Sequence, residues 1–179
     1  VDLNLQDKVY NLISAYRSYG HLKAKINPLS KGIFPLPQSA DLDINFYGFT
    51  SSDLQKEVSC DGFRGRSRMR LSDLISELSE IYCGSIGFEY SHLLSEEERS
   101  WLRAKIENRG AYNEGISKEH KLRRLNVLIE AESFEAELHK KYVGHKRFSL
   151  EGGETTIPLL DSLLDEGINN GVEESFIGM

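Results

Sequence analysis

The sequence predicts a mainly helical region that leads into the first helix and strand of an α/β domain. Two observations predict this architecture. Apolar residues recur at intervals of three and four over much of the chain, which is typical of helices that bury one face. Near the end, the glycine pair at 152–153 precedes one more such helix, and Phe176 and Ile177 then have the character of a buried strand. We therefore expect the chain to end at the first strand of that domain.

The first helix is predicted over residues 5–19, with Asn4 as its N-cap and Gly20 as the residue that ends it. Its apolar stripe consists of Val9, Leu12, Ile13, Tyr16 and Tyr19. Three of the four prolines of the chain then fall within residues 27–45. Proline removes a backbone donor and disfavours helix at the preceding residue, so we expect an extended linker there.

Two helices are predicted on either side of an arginine-rich loop. Thr50 to Asp53 supply an N-cap with an acidic third residue, so a short helix is expected to end near Val58. A better-marked helix is predicted over residues 71–82. Its apolar face consists of Leu74, Ile75, Leu78, Ile81 and Tyr82.

Two further helices are predicted in the next part of the chain. Ser95 and Glu98 form a capping box for the first of them, in which Trp101 is expected to anchor the core. A long helical region follows over residues 117–142, with Ser133 at a kink or at a cap between two shorter helices. Its inward face consists of Leu122, Leu125, Leu128, Ile129, Phe134 and Leu138.

The last helix is predicted over residues 154–169. Pro158 lies in its first turn, where the missing N–H costs little, and Gly171 follows its end. One buried stripe is expected, formed by Ile157, Leu160, Leu163, Leu164 and Ile168.

The composition, with 39% hydrophobic and 28% charged residues in 179, is typical of a soluble globular protein. No apolar run approaches the roughly 18–20 residues that a membrane helix needs, so no membrane span is expected. The first residues also lack the features of a signal peptide. A net charge of −6 disfavours binding to nucleic acid. Cys60 and Cys83 have no metal-ligand spacing, so we expect two ordinary thiols and no metal site.

Three sets of polar residues outside the main motif are considered as functional sites. The four arginines within residues 64–70 would form an anion site, or a solvated loop that pairs with the chain's own carboxylates, and charge runs favour the second. His21 would titrate, or would hydrogen-bond a carbonyl at a helix end, and we favour the second. Glu89 and His92 would suggest acid–base chemistry, but no second carboxylate or nucleophile accompanies them at a defined spacing.

The main candidate site is the basic, aromatic connection before the glycine pair. Arg147 is placed there to hold a phosphate or carboxylate, together with the N–H groups at the start of the following helix. The alternative is an internal pair between Arg147 and Glu151 or Glu154 that shapes the turn. Arg147 and Glu151 are therefore candidate lining residues of an active site, and no residue of the chain is assigned a catalytic role.

The run from residue 146 to residue 179 resembles the 2-oxoglutarate dehydrogenase family, the thiamine-dependent decarboxylating component of the 2-oxo acid dehydrogenase complex. Together with earlier stretches, the resemblance covers nearly the whole chain in the family's order. Those stretches are AYRSYGHLKAKINPL, DINFYGF, IYCGSIGFEYSHL and LHKKYVGHKRFSLEGGE.

The resemblance implies an enzyme that decarboxylates 2-oxoglutarate and passes the succinyl group to a lipoyl group of the partner acyltransferase. It implies thiamine diphosphate and Mg²⁺ as cofactors, a homodimer, and a cytoplasmic location in a bacterium or the mitochondrial matrix in a eukaryote, with the cytoplasm favoured. In the family, the last strand leads into a His-Arg-Gly-Arg loop that touches the cofactor, so the ligands are expected beyond Met179. This segment alone is therefore expected to be inactive.

With this resemblance the chain divides into an N-terminal helix (1–26), a proline-rich linker (27–45), a helical region (46–144) and the start of a thiamine-binding α/β domain (145–179). Two other functions remain open. One is a sister enzyme acting on a longer 2-oxo acid such as 2-oxoadipate. The other is a non-catalytic helical interaction module.

Overall fold

The computed structural model describes residues 4–27, 29, 40–108, 116–146, 150 and 152–178. They fold into two compact units, Val1–Tyr112 and Asn113–Met179. The structure is mainly helical, as predicted, and its described residues contain one two-stranded sheet. The helices are α1 (Leu5–Tyr19), α2 (Leu71–Tyr82), α3 (Glu96–Glu107), α4 (Lys118–Lys141) and α5 (Thr156–Asn169), and the strands are β1 (Glu57–Ser59) and β2 (Arg68–Arg70).

The core of the first unit is formed by α1 and α2 at the residues that the periodicity predicts. Asn4 caps α1 by accepting a hydrogen bond from the Asp7 N–H at 3.0 Å. Tyr19 is an exception to the predicted stripe, because 46% of its surface is exposed. The fully enclosed residues of the two helices are Val9, Leu12, Ile13, Leu71, Leu74, Leu78 and Tyr82.

Gly20 lets the chain pass closely over α2. A Cβ at this position would lie 2.5 Å from the Cβ of Tyr82, a distance that real side chains do not tolerate. The glycine that was expected to end α1 is therefore also required by packing. A short 3-10 helix, Gly20–Lys23, continues directly from α1.

A short antiparallel hairpin occupies the region where a helix was predicted to end near Val58. That prediction is wrong: only a 3-10 turn, Asp53–Gln55, forms before β1. The local cap is present, since the Thr50 N–H donates to Asp53 Oδ2 at 2.9 Å. Val58, however, is 3% exposed and lies opposite Met69 in the hairpin. A single buried valine between polar neighbours fits a strand better than a helix.

Trp101 was predicted to anchor the core, and this prediction is wrong. The capping box of α3 forms, with Ser95 Oγ accepting from the Glu98 N–H at 3.2 Å. However, α3 turns Ile106 inward, while 61% of Trp101 is exposed. The sequence pattern of α3 does not distinguish the two faces, because apolar residues are few on either of them.

The second unit contains α4 and α5, and most of their predicted inward residues are open to solvent. Helix α4 continues through Ser133 without a break, so there are not two shorter helices with a cap between them. Among the described residues of α4 and α5, only Pro158 is buried. The large apolar residues with exposed surfaces are Leu122, Leu125, Ile129, Phe134, Leu159, Leu163, Leu164 and Ile168.

Residues 172–178 form no strand in the structure, contrary to the prediction for Phe176 and Ile177. Phe176 is 92% exposed and Ile177 is 53% exposed. A strand needs a neighbour for its backbone hydrogen bonds, and within the described residues the only sheet is the β1–β2 pair. In the described part of the chain, no helix is both long and apolar enough to cross a membrane.

Candidate functional site

Arg147 and Glu151, the predicted lining residues, lie outside the described residues, so their roles stay predictions. Two described residues close to them in the chain, Leu150 and Gly152, donate backbone hydrogen bonds to glutamate side chains. The Leu150 N–H donates to Glu135 Oε1 of α4 at 3.3 Å, and the Gly152 N–H donates to Glu154 Oε1 at 3.0 Å. Gly152 has φ of 83°, the left-handed conformation that the glycine pair was expected to supply.

The start of α5 does not offer free N–H groups to an anion as expected. The Thr156 N–H donates to the Gly153 carbonyl at 2.9 Å, and the Ile157 N–H donates to the Glu154 carbonyl at 3.1 Å. Pro158 has no N–H, and the Leu159 N–H donates to the carbonyl of Thr155 at 3.1 Å. Turns at residues 152–155 thus use the donors that an isolated helix terminus would leave unpaired. Any anion recognition here would depend on side chains.

The first unit contains a buried ionic network centred on Arg17 and Glu107. The guanidinium of Arg17 on α1 makes two hydrogen bonds to Glu107 on α3, from Nε to Oε1 at 2.7 Å and from a terminal nitrogen to Oε2 at 3.2 Å. Its other terminal nitrogen donates to Asp61 Oδ2 at 2.6 Å. The Tyr82 hydroxyl donates to Glu107 Oε1 at 2.9 Å and lies 3.1 Å from the hydroxyl of Tyr90.

Burial and charge fix the protonation states in this network. Arg17 is 9% exposed and Glu107 is 3% exposed. Burial by itself would lower the pKa of Arg17, but the hydrogen bonds and charge of Glu107, with Asp61, raise that pKa overall. Burial, followed by the proximity of Glu107 and Tyr90, raises the pKa of Tyr82. The guanidinium therefore stays charged and the phenol stays neutral.

The network has a structural role. Each carboxylate oxygen of Glu107 accepts from Arg17, and the cluster is closed to solvent apart from Asp61, whose side chain is 47% exposed. It joins α1, α3 and the turn after β1 through three side chains. Asp61 has φ of 51°, a left-handed conformation that aspartate tolerates better than most residues.

Sequence patterns did not predict the network, although one signal was present. Arg17 follows Val9 and Ile13 at steps of four residues, which places a cation on the buried side of α1. A cation in such a position needs a buried anionic partner. The partner is 90 residues further along the chain, and no local pattern identifies it.

Two of the four arginines of the arginine-rich loop pair with an acid of the chain itself, which agrees with the favoured interpretation. Arg64 and Arg66 each contact a different oxygen of Glu77, at 2.8 and 3.1 Å. Arg68 donates to the carbonyl of Glu57 at 2.8 Å across the hairpin. These contacts brace the hairpin against α2.

The remaining sequence candidates do not form a catalytic or metal site. We favoured a hydrogen bond from His21 to a backbone carbonyl. The neighbour of its Nε2 is instead the Glu89 carboxylate, with Oε2 at 4.0 Å. His92 is exposed on a turn. Burial raises the pKa of Cys60 and of Cys83, which keeps both thiols protonated and unreactive. In residues 4–27, 29, 40–108, 116–146, 150 and 152–178, no group of acidic, histidine or cysteine side chains has the arrangement of a metal site.

Within the second unit, Arg123 of α4 holds α5 through two carboxylates. Its terminal nitrogens lie 3.0 Å from Asp161 Oδ1 and 2.8 Å from Asp165 Oδ2. Beside this contact is a polar crevice of about 190 Å³, lined in addition by His120 and Arg124. The carboxylates already neutralise Arg123, so the crevice has no excess of charge that would select an anion.

Comparison with known proteins finds relatives that match nearly the whole chain. It is 41% identical over 98% of its length to a "Multifunctional 2-oxoglutarate metabolism enzyme" of Mycolicibacterium vanbaalenii. It is 42% identical over 96% of its length to a "2-oxoglutarate dehydrogenase E1/E2 component" of Corynebacterium glutamicum. It is 43% identical over 94% of its length to a "2-oxoglutarate dehydrogenase E1 component" of Coxiella burnetii. No family model matches the chain.

These relatives are much longer than the chain, which spans 14%, 14% and 18% of their respective lengths. The identity extends over both structural units. The resemblance stated from the sequence is thereby confirmed: the chain is related, over nearly all its residues, to a segment of 2-oxoglutarate dehydrogenase E1 components.

Proposed function

We propose that this chain, as a relative of 2-oxoglutarate dehydrogenase E1 components, is part of an enzyme that oxidatively decarboxylates 2-oxoglutarate. The observation that carries the proposal is the 41–43% identity over 94–98% of the chain with proteins of that name. In this proposal the enzyme uses thiamine diphosphate with Mg²⁺ and works as a homodimer in the cytoplasm. It transfers the succinyl group to a lipoyl group of a partner acyltransferase.

The described residues do not fit the cofactor. A diphosphate and its metal require carboxylate or amide ligands and free donors, and the described residues contain no acidic cluster of that kind. The N–H groups at residues 156, 157 and 159 are already paired with carbonyls. We therefore place the cofactor ligands in polypeptide other than the described residues, and we derive no catalytic step through the cofactor.

The contribution of this chain is structural support for the active site. The first unit has its own apolar core, and the Arg17–Glu107 contact fixes α3 relative to α1. In the second unit, Glu135 of α4 accepts a hydrogen bond from Leu150, which lies between Arg147 and Glu151, and Glu154 accepts one from Gly152. The exposed apolar faces of these two helices fit an α/β thiamine-binding domain that has further layers to cover them.

The proposal is tested by turnover of the full polypeptide that contains this chain. Release of carbon dioxide is measured from 2-oxoglutarate and, in parallel, from 2-oxoadipate, each with thiamine diphosphate and Mg²⁺ present. We expect a higher kcat/KM for 2-oxoglutarate. Preference for the longer substrate would assign the chain to the sister enzyme, and absence of turnover with both would support an interaction module.

A further inference from the structure

The surface of α3 carries apolar side chains that the first unit leaves uncovered, although this unit has a well-formed core. Trp101 is 61% exposed and Leu94, just before the helix, is 97% exposed. Single exposed apolar residues are common on protein surfaces, whereas contiguous apolar patches mark sites of recognition. The side of α3 that buries Ile106 and Glu107 is already occupied by the core.

Trp101 borders a groove. The groove has a volume of about 520 Å³ and is lined by Leu93, Ser95, Glu97, Glu98, Trp101 and Leu102. Leu93 and Leu102 are half-buried and pack against the core, so the floor of the groove is fixed. We call this feature the Trp101 groove.

The rim of the Trp101 groove is acidic. Of the three consecutive glutamates at the start of α3, Glu96 contacts Arg99 at 2.6 Å and Arg103 at 3.5 Å. Glu97 and Glu98 are exposed, and within the described part of the chain their carboxylates have no ion-pair or hydrogen-bond partner. The groove therefore presents two unneutralised negative charges beside an indole ring.

The indole itself already interacts with a cation. The ammonium of Lys105, one turn further along α3, lies 5.4 Å from the centre of the Trp101 ring. Electron-rich ring faces attract ammonium and guanidinium groups, and carboxylates nearby strengthen that preference. The chemistry of the groove thus selects an apolar side chain for its floor and a positive charge for its rim.

We propose that the Trp101 groove is a docking site for a basic amphipathic segment of a partner protein, one that places an apolar side chain between flanking lysines or arginines. This inference does not rest on the proposed enzymatic function. An acidic or neutral segment would leave Glu97 and Glu98 uncompensated, and would bind more weakly for that reason.

The test uses Trp101 fluorescence, because Trp101 is the only tryptophan among the 179 residues. The chain is titrated with a synthetic amphipathic peptide of leucine and lysine, and separately with the same peptide carrying glutamate in place of lysine. We expect a saturable blue shift with the lysine peptide, and affinity that is weaker by about tenfold or more for the glutamate peptide. Equal responses to the two peptides, or no saturable response to either, would overturn the proposal.

A matched pair of variants separates the groove from general attraction to an acidic chain. E97Q/E98Q removes the rim charges, whereas E130Q/E132Q removes two exposed charges from α4 with the same change in net charge. We expect E97Q/E98Q to weaken binding by about fivefold or more and E130Q/E132Q to leave it nearly unchanged. Equal weakening by both pairs would contradict a specific site.

Two controls keep the result interpretable. Circular dichroism and thermal melting establish that each variant is folded. If Trp101 emission shifts with protein concentration in the absence of peptide, the groove is a contact between copies of the chain and the proposal is wrong.

Discussion

Substitution of Arg17 tests whether the buried network has the role that its geometry indicates. Arg17→Met keeps much of the side-chain volume but removes both hydrogen bonds to Glu107, which is 3% exposed. Glu107 would then retain only the Tyr82 hydroxyl at 2.9 Å. Leaving one member of a buried ion pair unpaired costs about 3–5 kcal/mol, so we expect the free energy of unfolding of the first unit to fall by about that amount.

The double variant provides the more informative comparison. Glu107→Leu alone leaves Arg17 with Asp61 as its remaining anionic partner, and this carboxylate is half-exposed. When Arg17→Met and Glu107→Leu are combined, both buried charges are removed, so neither is left without a partner. Replacing a buried ion pair by apolar groups is often near neutral in stability. We therefore expect the double variant to be more stable than Arg17→Met alone.

The assay is urea denaturation followed by circular dichroism, with the four proteins of the cycle measured at one pH and ionic strength. Asp61→Asn serves as a control, and we expect it to cost no more than about 1 kcal/mol because the carboxylate is half-exposed. The reasoning is refuted if Arg17→Met costs less than about 1 kcal/mol, or if the two single changes add without coupling.

Four other substitutions have defined outcomes. Leu78→Asp places a carboxylate in a fully buried position and should destabilise the chain by several kcal/mol; a melting temperature within a degree or two of the parent would show that the α2 stripe is not buried. Gly20→Ala should cost about 1–3 kcal/mol in thermal unfolding, because its Cβ would lie 2.5 Å from that of Tyr82; unchanged stability would show that the two segments separate easily. Burial raises the pKa of Tyr47 from 10.0 to about 12, so its stabilising contribution is complete below pH 10 and is lost as the pH rises through 12; pH-dependent unfolding of Tyr47→Phe should show a smaller loss in that range, and an identical profile would contradict this. Arg147→Ala in the full polypeptide should reduce kcat/KM for 2-oxoglutarate, by about 1–3 kcal/mol of transition-state stabilisation, more than it lowers the melting temperature; a lower melting temperature with normal specific activity would make Arg147 structural.

Local signals predicted the two best-formed helices to the residue. Helix α1 has an Asn4 cap, a continuous stripe and Gly20 at its end, and α2 has a stripe of comparable clarity. These features lie within a few residues of one another, so they act before any tertiary contact is made. The Thr50–Asp53 cap predicted a helix that would end near Val58. The cap forms, but only one 3-10 turn follows it before the hairpin begins.

Features that depend on distant or absent neighbours were not predictable. Arg17 and Glu107 are 90 residues apart, and sequence periodicity contains no information about such a pair. The apolar stripe of α5 was identified, but a stripe shows only which face is apolar and not what covers it. For the same reason Phe176, expected in a strand, is exposed in a segment without a pairing partner among the described residues. The location of Trp101 likewise depended on which face of α3 meets the core.

The most direct test of the account is calorimetric titration of thiamine diphosphate with Mg²⁺ into the isolated chain and into the full polypeptide that contains it. We propose that this chain supports an active site whose cofactor ligands lie elsewhere. Saturable heat of binding is therefore expected for the full polypeptide, and none is expected for the isolated chain. Micromolar binding by the isolated chain, or no binding by the full polypeptide, would contradict the account.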